Sequence, residues 1–259
     1  MSYIDTHVHL DDARYDADRE AVLERAKAAG VWPLVSIGTG LADSRWAADF
    51  AAGRQGIYAT VGQHPELAKD WDPGQMPEFR ALARRPGVVA VGEVGLDFHH
   101  PGNGGLPQQE PLFRAMLALA RELGLPVVIH NRDAAADVLR VLREAWDPSL
   151  GGVFHCYAGD LDTALAALDL NFDIAVGGVL TFKNAQALRE VIARVPLERI
   201  VLETDGPWLA PQDRRGQRNE PACIPSIAAR LAQVKGLGLD AVARATTENA
   251  RRLFRLPAA

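Results

Sequence analysis

Short apolar runs alternate along the chain with longer segments of mixed polarity. Eight runs read as strands: Tyr3–His9, Val31–Ile37, Ile57–Gly62, Val88–Gly92, Pro126–His130, Gly152–His155, Phe172–Val176 and Arg199–Glu203. Several are continuous and β-branched, as in Val88-Val89-Ala90-Val91, which suits strands buried on both faces. Amphipathic segments between them predict helices over Asp18–Ala29, Phe113–Leu123, Ala134–Ala145, Asp162–Leu168 and Ala185–Arg194. Two more follow at Ile224–Val234 and Leu239–Phe254. Asp16 is expected to cap the first helix, while Gly30 and Gly124 stop theirs. Alternating strand and helix implies a parallel sheet, and eight units imply closure into a single (β/α)8 TIM barrel, one domain over residues 1–259. An open doubly wound sheet would want a Gly-rich turn after the first strand, where Thr6-His7-Val8-His9 stands instead. The long irregular stretch Asp205–Pro221 follows the last strand and is expected to overhang the barrel mouth, as functional loops do.

Composition narrows the function classes. A net charge of −5 argues against a large basic surface for nucleic-acid backbones. It leaves open a metal site, whose local positive charge can hold a phosphate. Two cysteines, Cys156 and Cys223, imply no disulfide framework and fit a reducing compartment. The segment Met1–His7 has no basic region followed by an apolar run, and no stretch approaches 18 apolar residues. The expectation is a cytoplasmic monomer with no membrane partner.

Chemistry gathers at the strand ends. His7 and His9 close the first strand, Gln63-His64 the third, Glu93 the fourth, His130 the fifth, His155 the sixth and Asp205 the eighth. In a barrel these ends converge on the face where active sites lie. His7 and His9 stand at i and i+2, so they share one face of a strand and can grip one ion. Taken alone, such a pair is weak evidence and reads more readily as two polar residues at a strand end facing water. His130 and His155 end apolar strands and read as ligands beside Glu93. A carboxylate buried there needs a metal or a base, and Arg132 is the alternative partner. Asp205 can bind metal and accept a proton from an attacking water; its alternative is an Asx turn before Gly206-Pro207. Four imidazoles and two carboxylates exceed one closed structural site. Two divalent ions are expected, Mg²⁺ or Mn²⁺ with Zn²⁺ as a further option, and Glu93 central between them. Glu93 and Asp205 are the expected catalytic carboxylates. His64 is read either as a substrate contact or as a cap on the third strand. Arg132 either neutralises an anionic group or pairs with Asp133. Cys156 is read as a small buried thiol rather than a nucleophile.

These residues resemble the TatD family of metal-dependent deoxyribonucleases, among the amidohydrolase-like barrels. The likeness spans nearly the whole chain. It runs through Asp5-Thr6-His7-Val8-His9-Leu10-Asp11, Gly62-Gln63-His64-Pro65, Gly92-Glu93-Val94-Gly95-Leu96-Asp97-Phe98 and Pro126 to Ala134. It continues in His155-Cys156-Tyr157, Glu203-Thr204-Asp205-Gly206-Pro207, Arg218-Asn219-Glu220-Pro221 and Thr247-Glu248-Asn249-Ala250. The resemblance implies that His7, His9, Glu93, His130, His155 and Asp205 are the metal ligands. It also implies that His64, Arg218 and Asn219 lie near the substrate phosphate. Ala158 and Gly206 depart from the family, which usually has Ser or Thr at the first position and often Ala at the second. The implied activity is 3′–5′ exonuclease action on single-stranded DNA ends, with a place in DNA repair and a metal-activated water as nucleophile. Related barrels cut esters and amides, some like D-aminoacyl-tRNA deacylases, and a non-catalytic metal-binding scaffold is a third reading.

Overall fold

Short runs of β-branched and apolar residues become strands because a parallel sheet covered on both faces buries them whole and suits branched side chains. A computed structural model of the protein describes residues 1–257, so the last two residues of the expected 1–259 domain lie outside it. The strands are β1 (Tyr3–Val8), β2 (Val31–Ser36), β3 (Ile57–Val61), β4 (Val88–Asp97), β5 (Val127–Arg132), β6 (Gly152–Phe154), β7 (Phe172–Val176) and β8 (Ile200–Leu202). The helices are α1 (Arg19–Ala28), α2 (Leu41–Ala51), α3 (Met76–Ala83), α4 (Leu106–Leu123), α5 (Ala135–Ala145), α6 (Leu161–Asp169), α7 (Gln186–Arg194), α8 (Ile224–Lys235) and α9 (Leu239–Phe254). The hydrogen-bonded strand order follows the chain from β1 to β8. A parallel bridge between Val8 and Gly206 returns the end of β8 to β1. This is the (β/α)8 barrel expected from the sequence.

The backbone falls into two compact units. The first holds residues 1–36, 156–165 and 173 onward, with β1, β2, most of β7, and β8. In it, β1 pairs with β2 and β7 with β8, all parallel. Helix α9 packs Val242, Ala243, Ala250 and Leu253 inward, while Asn249 donates to the carbonyls of Leu197 and Ile200, each at 2.8 Å, at the entry to β8. The second unit holds residues 37–155 and 166–172, with the parallel run β3-β4-β5-β6.

Two differences from the sequence reading bear on the site. Strand β4 does not end at Gly92. It continues through a register shift between Val91 and Val94 and pairs with β5 as far as Asp97↔Arg132. Gly95 permits this, since a Cβ there would stand 1.9 Å from the carbonyl oxygen of His130. Helix α1 starts after Asp18, not Asp16; Asp16 instead ends a short 3₁₀ turn, Ala13–Tyr15.

Candidate metal centre

In the first unit, the ends of β1 and β8 are laced together. Asp205 N–H donates to the His7 carbonyl at 2.9 Å, and His9 N–H to the Gly206 carbonyl at 2.8 Å. The Asp5 carboxylate, fully buried, accepts Thr204 N–H (2.9 Å), the Thr204 hydroxyl (2.5 Å) and His7 N–H (3.2 Å). Burial pushes its carboxyl up to about 7, against the pull of the Thr204 and His7 hydrogen bonds. This lacing carries Asp205 to the two histidines. His7 Nε2 and His9 Nε2 stand 3.1 Å apart, and Asp205 Oδ1 lies 3.3 Å from His9 Nε2 and 3.7 Å from His7 Nε2. Ligands about 2.0–2.2 Å from one ion sit roughly 3.0–3.6 Å apart in tetrahedral or octahedral sets. Two buried imidazole nitrogens and a carboxylate oxygen at these spacings fit a divalent cation.

The second unit gathers imidazoles around Glu93. Its Oε1 lies 2.6 Å from His130 Nδ1, 2.9 Å from His155 Nε2 and 3.5 Å from His64 Nε2. Burial would raise this carboxyl. The charges of His155 and His64 and the hydrogen bonds from His130 and His155 outweigh burial and hold it well below the usual carboxylate range. The shorter distances are those of hydrogen bonds, so a cation entering here replaces imidazole protons. His130 stands between two carboxylates, with Nε2 3.0 Å from Asp97 Oδ2. Burial opposes protonation of this ring, but the hydrogen bonds to Asp97 and Glu93 raise its pKa. Asp97 is itself nearly fully buried. Burial favours its neutral form, yet His130 and the N–H groups of His99 and His100 bring its carboxyl down to about 2. Gln109 of α4 fixes the backbone of Asp97, accepting from its N–H at 2.8 Å and donating to its carbonyl at 2.7 Å.

Asp97 escaped the sequence reading. On the extended β4, Glu93 and Asp97 stand four residues apart, and such residues share a face. His64 caps the helix after the third strand rather than the strand itself. Its Nδ1 accepts Glu66 N–H at 3.2 Å, capping a short 3₁₀ helix, and its Nε2 faces Glu93. The tautomer this implies carries its proton on Nε2, which makes His64 a donor to Glu93. Arg132 is exposed at the end of β5, and the Asp133 carboxylate turns instead to His99 Nδ1 at 2.8 Å. Cys156 is half-buried rather than enclosed; its backbone N–H donates to Glu203 Oε1 at 2.5 Å.

The segment after β8 is tied down. Asn219 is fully buried, and its side-chain amide donates to the carbonyls of Thr204 (2.8 Å) and Trp208 (2.7 Å). Tyr15 donates its hydroxyl to the Asn219 carbonyl at 2.5 Å. Arg218 makes a two-point pair with Asp18, at 2.7 Å for each contact. Arg218 and Asn219, expected near the phosphate, thus spend their polar atoms on holding the segment. At Gly206, expected as a departure from the family, a Cβ would stand 2.6 Å from the Tyr15 hydroxyl oxygen. At Ala158, which is exposed, nothing in the structure explains the departure.

A family model described as TatD related DNase matches residues 4–255. The uncharacterized metal-dependent hydrolase YabD of Bacillus subtilis is 40% identical over 252 residues, covering 97% of this chain and 98% of that one. The 3′–5′ ssDNA/RNA exonuclease TatD of Klebsiella pneumoniae is 38% identical over 256 residues, covering 96% and 97%. A crystal structure of YjjV, a TatD homologue from Escherichia coli K12, superposes with a TM-score of 0.93 at 32% identity, covering 98% of each chain.

Proposed function

The chain belongs to the TatD-related DNase family, and from that premise we propose that this metal-dependent hydrolase removes nucleotides from the 3′ ends of single-stranded DNA. The observation that carries the reading is the trio of buried His7 and His9 with the partly buried Asp205, whose ligand atoms are spaced for one cation and include a carboxylate. We assign His7, His9 and Asp205 to one divalent ion, and Glu93, His130 and His155 to a second. Mg²⁺ or Mn²⁺ suits the carboxylates, and Zn²⁺ suits the imidazoles. Bound ions of this kind polarise phosphoryl oxygens and lower the pKa of water.

The remaining work falls to the chain. Asp205 takes the proton of the attacking water. It is held for this at φ +57° by the bond from its N–H to the His7 carbonyl and by Trp208 N–H donating to its own carbonyl at 2.9 Å. Glu93 gathers the three imidazoles and is the second catalytic carboxylate. His64 steadies Glu93, and Arg132, exposed at the end of β5, meets the anionic strand. Arg218 and Asn219 act one step back, by fixing the segment that carries Trp208. We read the chain as one domain and a monomer. We place its work in the cytoplasm, in DNA repair, where 3′ ends need trimming.

The test is incubation of 5′-labelled single-stranded DNA with the protein and Mg²⁺ or Mn²⁺. Progressive shortening from the 3′ end that EDTA abolishes is the expected result. Intact DNA alongside cleavage of an ester or amide substrate would overturn the nuclease reading and leave the hydrolase.

A further inference from the structure

Trp208 is the only exposed Phe, Tyr or Trp among the described residues, at 42%. Large indoles normally bury most of their apolar surface. This one is presented beside the metal-binding trio. Its ring centroid lies 4.8 Å from that of His9, at an interplanar angle of 84°. The guanidinium carbon of Arg14 stands 4.4 Å from the ring centroid.

Both members of this pair are fixed. Asp12 holds Arg14 at two points, Nε to Oδ1 and Nη2 to Oδ2, each 2.9 Å, and also accepts the Arg14 backbone N–H at 2.8 Å. The Trp208 backbone is clamped at both ends, its N–H by the Asp205 carbonyl and its carbonyl by Asn219. A surface tryptophan held in register with Asp205, the residue placed at the metal, is positioned for contact with whatever the metal holds. An indole and a guanidinium plane both stack on nucleobases, and stacking tolerates any base because every base has a π-face.

We infer that Arg14 and Trp208 form a stacking subsite for the nucleobase next to the phosphate at the His7–His9–Asp205 cluster. The inference rests on the nuclease reading above. Such a subsite supplies strand preference without a basic surface. A base in duplex DNA has its faces covered by its neighbours, so only an unpaired base at an end or in a single strand can seat on the pair. It also accounts for a nucleic-acid enzyme with a net charge of −5.

The test compares two 5′-labelled oligonucleotides, identical except that one has abasic sugars at its 3′ end. Stacking on one aromatic side chain is worth about tenfold or more in affinity. Wild type is expected to show a KM about tenfold lower for the base-bearing strand. Trp208→Ala should bring the two KM values together, Trp208→Phe should keep most of the difference, and Arg14→Gln should lose part of it. A second readout needs no turnover: single-stranded DNA should quench tryptophan fluorescence in wild type, and less in Trp208→Phe. If wild type cleaves DNA and Trp208→Ala keeps the full base-to-abasic difference, the subsite is overturned and the nuclease reading stands. Equal losses on both strands would likewise overturn it. If metal-loaded wild type neither cleaves DNA nor is quenched by it, the nuclease reading fails and the subsite falls with it.

Discussion

Asp97 decides which nitrogen His130 offers. With Nε2 bonded to a buried carboxylate, the ring presents Nδ1 beside Glu93. Hydrogen-bond partners of this kind tune metal affinity by about 10–100-fold. Asp97→Asn keeps the shape and removes the charge, so metal affinity measured by calorimetric titration should fall by about that factor while the metal-free fold is retained. An unchanged affinity would show that His130 needs no orienting partner. The proposed ligands were legible because each stands at the end of an apolar run. Asp97 was not, because Gly92 reads as a stop. Here glycine signals close approach instead: the Gly95 site admits the His130 carbonyl, which lets β4 run on and brings Asp97 to the ring.

Strands were the easiest elements to read, since their β-branched runs are buried whole. Helix α2 was missed because its inward face is Ser44, Ala47, Ala48 and Ala51, too small to give a hydrophobic period. Helix α3 is short and has a proline in its first turn. The start of α4 was hidden by Pro107 and Pro111, although a proline in the first turn is compatible with a helix. The stretch Asp205–Pro221, expected as an overhang, is tied down along its length. Its Arg218 anchor depends on Asp18, whose carboxyl is held well below the usual range by hydrogen bonds from Arg218 and then Arg25. The sign follows from that lowering. The pairing stabilises above the ordinary carboxylate pKa and is lost as pH falls through the lowered folded value. Proteolytic nicking of the segment should therefore quicken in acid, and Asp18→Asn should show the faster rate at neutral pH with a flatter pH profile. Equal rates for the variant and wild type at pH 7 would show that other anchors suffice.

For the molecule as a whole, ions that bind only the folded state stabilise it by mass action. At a free concentration one hundred times Kd, one site adds about 2.7 kcal/mol. For a chain of this size that is roughly a 5–10 °C rise in melting temperature. EDTA should remove the rise and Mn²⁺ restore it, as read by calorimetry. In the double variant His7→Ala with His9→Ala, part of the rise should be missing; a full rise would remove these histidines from the ligand set. The fold and the candidate cluster were read from one pattern, apolar strands with polar residues at their ends. What the sequence concealed was that Arg218 and Asn219, expected near the substrate phosphate, direct their side chains to Asp18 and to the Thr204 carbonyl.

Gly206 and Tyr15 share a single space, with room for a methyl group or a phenol oxygen but not both. The methyl of an alanine at 206 would displace the hydroxyl that holds the Asn219 carbonyl. The bare glycine is therefore what lets Tyr15 reach across and tie down the segment that carries Trp208.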